Sequence, residues 1–445
     1  MTVHEESGSP YTPHTDEEMT AMLEEIGASD ESDLFDIPEG IVFDGNFGID
    51  QRSEQAVREE IESMMEKNES LTEFLGRGHY DHYQPAIVDD LAGRSEFLTS
   101  YTQYQPEVAQ GFLQALFEYQ SMFTELTGLG VVNCSMYDAA SALGEAATLA
   151  TRVRATTGDR ILVPEDMVDG RQSVLENYVS GAGLSIDTFP LHNGTVDLER
   201  ISERIDADTV MVYLEQPSVR GVIEPAIEEV ATRTHEHDAI LTLGTDPVAL
   251  GLLAEPASLG VDVVIGDAAT LGLPTSYGMG IGLFATKEDF LRQVPGRLVG
   301  AAKDDAGRRT YTLTLQTREQ HIRRERATSN ICTNQAWVGL RTAMHLAWLG
   351  PSGLMQLAID SIERATTLAE QVDTIDGIEA PIYDADFFRE FVARTEKPAA
   401  DIAQSLESAG FAVHVIDDHL IQICVTETTE SEIDAFLGAL AEASQ

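Results

Sequence analysis

The stretch TVMVYLEQPSVRGVIEPAIEEVATRTHEHDAILTLGTDPVALGLLAEPASLGVDVVIGD, Thr209 to Asp267, decides the fold class. Three short runs in it are rich in β-branched and aliphatic residues: Thr209 to Leu214, Ala239 to Leu243 and Val261 to Ile265. A helical segment, Val222 to His235, falls between the first two. Two further runs of the same kind lie upstream, Ile161 to Val163 and Leu184 to Phe189. This βαβ rhythm predicts an α/β fold with a mostly parallel sheet covered by helices on both faces.

The flanks read differently. Thr15-Asp16-Glu17-Glu18 has the form of a capping box, and Met19, Met22, Leu23 and Ile26 follow at helical spacing before Gly27. With an acidic helix around Glu54 to Met65, this makes residues 1–65 a helical arm. Residues 66–325 form the large domain. Residues 326–445 form a small α/β domain, with a strand at Phe388 to Arg394, a helix at Ala399 to Ser408, and strands at Phe411 to Val415 and Leu420 to Val425. Its final helix is expected to be capped by Thr429, with Glu432 three positions on, and to bury Ile433, Phe436, Leu437 and Leu440. No internal repeat or low-complexity tract interrupts this plan.

Composition narrows the function classes. The 445 residues carry 76 acidic against 28 basic side chains, a formal net charge of -48. Such a chain repels phosphate backbones and anionic lipids, which argues against nucleic acid and membrane surfaces as partners. Only Lys67, Lys287, Lys303 and Lys397 are lysines. Acid excess with few lysines resembles adaptation to concentrated salt, where the repulsion is screened; the acids are spread along the chain and do not form one docking block. No apolar run is long enough to span a bilayer, and the first residues lack the basic start and apolar core of a secretory signal, so cytoplasm is the expected location. Cys134, Cys332 and Cys424 are too few and too scattered for a disulfide framework or a clustered zinc site.

Several motifs invite chemistry and mostly decline it. Gly278-Met-Gly280-Ile-Gly282 resembles a dinucleotide fingerprint, but Leu283 to Thr286 after it reads as a strand, whereas the fingerprint must open a helix. The pairs His79/His82 and His235/His237 lack a carboxylate or cysteine at metal-ligand spacing, so no metal is expected. His235 and His237 read as a solvated helix end; His79 and His82 sit in an aromatic, glycine-marked loop. Asn133-Cys-Ser135-Met-Tyr137-Asp138 precedes a small-residue helix, with Ser135 and Asp138 spaced as a capping box. Such a helix start can cradle an anion or simply be capped.

Longer motifs carry a resemblance. Gly78 to Tyr83, Arg94-Ser-Glu96-Phe97, Tyr101-Thr-Gln-Tyr104-Gln105-Pro-Glu107, Gln110-Gly111, Phe117 to Gln120, Glu125 to Gly128 and Asn133 to Asp138 are similar to the N-terminal half of glycine decarboxylase of the glycine cleavage system. The block from Arg318 to Asn334 is similar to a later signature of that family. Gln103 departs from it, standing where proline is usual, and so does Ala139, where glycine often follows. The resemblance spans nearly the whole chain, from the arm to the small domain. It implies the fold type I architecture of pyridoxal phosphate enzymes, a large domain with a mostly parallel sheet and a small C-terminal α/β domain.

Enzymes of that fold hold the cofactor through a lysine expected in the region of Gly266 to Tyr277, and GDAATLGLPTSY has none. Each of the four lysines present reads as a solvated surface group. The resemblance therefore implies the subunit without the Schiff-base lysine. A homologous second subunit would bring pyridoxal phosphate, and together the two would decarboxylate glycine and pass the aminomethyl group to the lipoyl arm of a carrier protein. No catalytic residue is expected here. Tyr101, Tyr104, Gln105, Glu107 and Gln110 are the expected strip facing a shared pocket or the partner, followed by Asn133, Ser135, Tyr137 and Asp138. Asp246 resembles the position of the aspartate that meets the cofactor's pyridine nitrogen, kept as a relic, or else a simple turn before Pro247. Arg318, Arg323 and Arg324 read as surface arginines or contacts to an acidic partner or carrier, and His321 and Cys332 are singled out only by the motif. The competing readings are a structural or regulatory pseudoenzyme partner and a self-sufficient pyridoxal phosphate enzyme. The latter would turn yellow with cofactor and be labelled by borohydride at Lys287 or Lys303.

The charge gives a separate expectation. The Debye length grows from about 3 Å at ~1 M salt to about 30 Å at ~0.01 M, so self-repulsion becomes unscreened on dilution. The chain should lose helical circular dichroism as salt is removed, whereas an unchanged spectrum at low salt would exclude salt adaptation.

Overall fold

The computed structural model describes residues 14–43, 45, 48, 50, 52–78, 80–101, 103–154, 158–274, 279–314, 324–327, 329, 331 and 335–445. Two units are distinguished, Met1–Glu69 and Ser70–Gln445. The first contains helices α1 (Asp16–Ile26) and α2 (Glu54–Met65). The capping box at α1 is formed in both directions: the Thr15 hydroxyl accepts from the Glu18 N–H, and the Glu18 carboxylate accepts from the Thr15 N–H. Gly27, in the left-handed conformation, closes the helix. Neither helix buries a residue.

The second unit is built on two sheets. In chain order its strands are β1 (Thr72–Phe74), β2 (Val131–Met136), β3 (Arg160–Pro164), β4 (Ser185–Phe189), β5 (Leu191–His192), β6 (Thr195–Val196), β7 (Thr209–Gln216), β8 (Ile240–Thr245), β9 (Val263–Asp267), β10 (Gly282–Thr286), β11 (Val299–Lys303), β12 (Arg309–Leu313), β13 (Ile378–Glu379), β14 (Glu390–Thr395), β15 (Phe411–Asp417) and β16 (Leu420–Cys424). The larger sheet runs β2-β10-β9-β8-β7-β3-β4, parallel throughout except for β10, which is antiparallel to both neighbours. The smaller sheet runs β1-β15-β16-β14-β13. Its β1 joins β15 in parallel although 300 residues and more separate them in sequence.

The helices are α3 (Ala86–Ala92), α4 (Gln110–Thr127), α5 (Ala139–Val153), α6 (Asp169–Ala182), α7 (Leu198–Arg204), α8 (Ile227–Glu236), α9 (Ala336–Asp373), α10 (Ala399–Ser408) and α11 (Ile433–Ser444). Alternate strand residues feed different cores. Leu162, Val212, Leu214, Leu241, Leu243 and Val264 pack with residues of α4, α8 and the first half of α9. Ile161, Val163, Tyr213, Ile240, Val263 and Ile265 pack with α5 and α6 on the other face. A parallel strand covered on both sides has no polar face, which is why these segments read as nearly unbroken apolar runs. Each aliphatic side chain so buried contributes about 1.5–3 kcal/mol.

Helix α9 links the large domain to the small one. Its first half enters the core with α4, while Ala365, Leu368, Ala369 and Val372 enter a third core with Phe74, Phe391, Phe411 and Phe436. The rings of Phe74 and Phe436 stack with centroids 4.2 Å apart. Between the halves Gly350 leaves helical geometry (φ 62°, ψ 176°) and Pro351 starts the second half, where its missing N–H costs nothing.

Several local expectations change. Helix α8 begins at Ile227, because Val222 bridges to Phe387 and Glu224 accepts from the Val196 and Ala226 N–H groups, which holds that stretch in a turn. At α11 Thr429 does not form the expected box with Glu432; its hydroxyl is bonded to the Thr426 backbone, and a short 3-10 turn precedes the helix. Phe436 and Leu440 are buried there, and Ile433 and Leu437 pack partly against the same core. The 299–313 hairpin and strand β2 were not evident in the sequence.

Candidate functional site

The carboxyl ends of β7, β8 and β9 open into a cavity of about 360 Å³. Crevices at this end of a parallel sheet are where ligands bind in α/β folds, since the strand ends and loops there are free of helix packing. Glu215, Thr245, Asp246 and Asp267 form its floor; the starts of α5 and α6 bring Asp138 and Arg171; and Arg77, Tyr80, Arg389 and Glu390 close it from above. Among the described residues no lysine lines it.

Two of the cavity's arginines, Arg389 and Arg171, each meet a carboxylate. Asp246 pairs with the guanidinium of Arg389, a side chain only 1% exposed, and also caps its own turn by accepting from the Val248 and Ala249 N–H groups at 2.8 and 3.1 Å. Arg389 lies 3.9 Å from the Tyr80 ring centroid and reaches Nε2 of His82, whose Nδ1 meets the Glu427 carboxylate at 3.0 Å. Burial opposes ionisation of Glu427, yet the hydrogen bonds from His82 and from the Tyr83 N–H help bring its pKa down to about 2. Glu390 accepts from the Tyr80 hydroxyl at 2.5 Å, from the Arg77 N–H at 2.8 Å and from Gln422 at 2.6 Å. Gly221, at φ +83°, lets the 217–221 loop lie on β14, for a β-carbon there would meet the Glu390 carbonyl at 1.9 Å. Arg171 pairs with Glu215 and donates to the Tyr213 hydroxyl at 2.9 Å. Asp267 is raised to about 6, chiefly by burial; the Ala269 N–H holds it lower than burial alone would, and the charge of Asp138 adds to the rise.

The sequence-selected residues fall into two places. Asp138 and Asp246 line the cavity. Asp138, not Ser135, is the N-cap of α5: its carboxylate accepts from the Ser141 N–H at 2.7 Å. Ser135 sits in β2, where alternation turns its hydroxyl to the Arg297 N–H at 2.9 Å, so the expected Ser135–Asp138 box is not formed. Asn133, beside it, accepts from the Ser135 N–H at 2.6 Å and donates to the Pro295 carbonyl. Tyr137 is half-buried. The other place is the turn before α4. Tyr101, Tyr104, Gln105 and Glu107 are exposed there, and Gln110 pairs with the backbone of Tyr311 through both its amide N and O, at 2.8 and 3.0 Å. Arg324 is exposed, while His79, Arg318, His321, Arg323 and Cys332 lie outside the described residues.

Three of the groups assigned to the surface have other duties. His235 meets the buried Asp262 at 2.7 Å and Lys287 meets it at 2.6 Å, so Lys287 neutralises a carboxylate under the sheet. Lys397 donates to the Ala443 carbonyl at 3.0 Å. Arg389, Arg171 and Arg297 were missed by the sequence reading. The signal for Arg389 was present, a charged pair between Phe388 and Phe391 inside an apolar strand.

A family profile described as "Glycine cleavage system P-protein" matches residues 9–440. The chain belongs to the glycine cleavage system P-protein family. It is 55% identical to the probable glycine dehydrogenase (decarboxylating) subunit 1 of Halobacterium salinarum, over 99% of this chain and 100% of that one. It is 41% identical to the protein of the same description from Pyrococcus furiosus, over 97% and 98%. Its fold matches a crystal structure of glycine decarboxylase (P-protein) in inhibitor-bound form with a TM-score of 0.88, at 38% identity, over 98% of this chain and 100% of that chain. A sphingosine-1-phosphate lyase from Burkholderia pseudomallei matches with a TM-score of 0.64 at 16% identity, over 91% and 93%, which shows the fold alone. The architecture is thus fold type I, as the motifs implied. Among the described residues no helix is long and apolar enough to cross a membrane.

Two outcomes test the cavity's electrostatics. Arg389→Met strands the Asp246 carboxylate and should cost about 3–5 kcal/mol in denaturant unfolding, while adding Asp246→Asn should recover part of it. The raised Asp267 binds its proton more tightly in the folded than in the unfolded chain between pH about 4 and about 6. Its contribution to stability therefore falls as pH rises through that window. Asp267→Asn should be more stable than wild type at pH 7 by on the order of 1–2 kcal/mol, with the advantage vanishing near pH 4, as thermal melts at the two pH values would show.

Proposed function

We propose that this chain is the subunit of a heteromeric glycine dehydrogenase (decarboxylating) that completes the active site without holding the cofactor. A homologous subunit would carry pyridoxal phosphate. Glycine would be the substrate, and the lipoylated carrier protein would receive the aminomethyl group. The observation that carries the reading is the state of the strand-end cavity in a chain whose relatives are described as subunit 1.

The residues of this cavity do not fit a phosphorylated pyridine aldehyde. Among the described residues no lysine lines it. Asp246 is held by Arg389 and its own turn, so a pyridine nitrogen would have to displace a buried guanidinium. At the start of α5, the natural seat for a phosphate, the Asp138 carboxylate already accepts from the Ser141 N–H and sets a negative charge there. No reaction step is therefore derived within this cavity.

What remains to this chain is positioning. Tyr101, Tyr104, Gln105 and Glu107 present phenols, an amide and a carboxylate on one short exposed turn, and Gln110 anchors that turn to the 299–313 hairpin. In the complex this strip would form one wall of the shared pocket. There it would orient a small carboxylate by hydrogen bonds and exclude water from the reacting centre. The arm, residues 1–65, is proposed to pack on the partner subunit.

In the complex reconstituted from both subunits and the carrier, Tyr104→Phe and Glu107→Gln should each lower exchange of the glycine carboxylate with bicarbonate by roughly 10-fold or more, the scale of losing one hydrogen bond to a charged group. Full exchange in both variants would favour a purely structural partner. Borohydride labelling of this chain in the presence of cofactor would mark it as a self-sufficient enzyme.

A further inference from the structure

Arg297 stands outside everything assigned so far. It is 3% exposed, and it follows the Pro295-Gly296 turn that leads into the 299–313 hairpin. Its guanidinium lies 5.2 Å from the Tyr104 ring centroid, and its Nη2 donates to the Tyr104 phenol oxygen at 3.2 Å. Both the ring face and the hydroxyl of one exposed tyrosine are thus met by one buried cation. A guanidinium suits this duty, since it is planar, permanently charged, and able to lie against a ring while donating at its edge.

The turn carrying Arg297 is clamped by β2. The Ser135 hydroxyl accepts the Arg297 N–H at 2.9 Å, the Cys134 thiol lies 3.8 Å from the Arg297 carbonyl, and Asn133 donates to the carbonyl of Pro295. Gly296 is left-handed (φ +68°), and a β-carbon on it would fall 2.5 Å from the Ser135 hydroxyl and 2.6 Å from the Asn133 amide. Two positions past Arg297, Gln120 accepts from the Val299 N–H at 2.8 Å and donates to its carbonyl at 3.0 Å. Buried hydrogen bonds of this kind hold a backbone to a few tenths of an ångström, as a group that places another group requires.

We infer that Arg297 is a positioning residue for the shared pocket: fixed by Asn133 and Ser135, it sets the ring and hydroxyl of Tyr104. Because the phenol oxygen accepts from the guanidinium, the phenol's own proton is directed away from Arg297. Tyr104 is thereby held in one orientation, ring and hydroxyl together, as a group that lines a pocket for a small carboxylate requires. The inference rests on Tyr104 belonging to the pocket wall. It also links the two groups of sequence-selected residues, for Asn133 and Ser135 would act on the pocket through Arg297 without reaching it.

The test is a double-mutant cycle in the full reconstituted complex, with glycine–bicarbonate exchange as readout. Arg297→Met should lower kcat/KM for glycine roughly 10-fold, chiefly through kcat, with the complex still assembled by gel filtration. Arg297→Lys, which keeps the charge and one donor, should recover part of the loss. On a Tyr104→Phe background Arg297→Met should add little, because the oxygen it serves is gone. If Tyr104→Phe is impaired while Arg297→Met is active, or if the two losses multiply, the positioning role is wrong and the pocket reading stands. If Tyr104→Phe is fully active, the pocket reading fails, and Arg297 with it. Should Arg297→Met not assemble, the comparison of Arg297→Lys on the two backgrounds decides in the same way.

Discussion

A guanidinium buried to 1% exposure cannot stay unpaired, and Arg389 satisfies that demand with groups from two distant parts of the chain. Asp246 comes from the loop after β8 and His82 from the loop before α3, and Tyr80 covers the ring-facing side of the cation. The adjacent Glu390 draws in Tyr80, Arg77 and Gln422. The start of β14, inside the small sheet, is thereby locked onto the strand ends of the large one. In a fold whose strand ends usually face a ligand, the protein here supplies an internal counter-charge at the same place. A pair of this kind adds little net stability over an apolar filling. Its effect lies in specificity, because any arrangement that separates Arg389 from Asp246 leaves each buried charge without its counter-charge.

The same constraint explains how the two domains share work. Helix α9 spans two hydrophobic cores and is broken once, at Gly350, so its halves can each follow the sheet they cover. With the domains joined by α9 on one side and by Arg389 on the other, the cavity between them has walls set by packing and by charge. The exposed turn from Tyr101 to Gln110 lies elsewhere, fastened to the 299–313 hairpin and to the clamped turn at Gly296. The chain therefore has a strand-end cavity lined by paired charges and, apart from it, an exposed turn fastened to the hairpin.

Legibility in the sequence followed the range of the interactions. The central strands were readable because burial on both faces imposes an unbroken apolar run, and the α1 cap was readable because all its atoms lie within four residues. The caps at Ser135 and Thr429 were misread for the complementary reason. Ser135 has the right spacing to Asp138, but β2 extends through it and turns its hydroxyl to a residue 162 positions away. Thr429 is claimed by Thr426 before a helix can start. His235 and Lys287 looked solvated because each is next to charged neighbours in sequence, whereas the buried Asp262 that binds both is reached only through the fold.

By itself the sequence determined the α/β class, the family and the absence of a lysine where the fold would place one, because these depend on periodicity, ordered motifs and residue identity. It also determined the charge, which is a sum. Only the tertiary structure decided which group meets which: that Asp246 is paired with Arg389, that Asp138 faces its own helix, and that Arg297 holds Tyr104. Those pairings join residues separated by 143, 3 and 193 positions. The two long ones are invisible to any local pattern, and the short one is ambiguous between a cap and an anion site until the strand before it is seen.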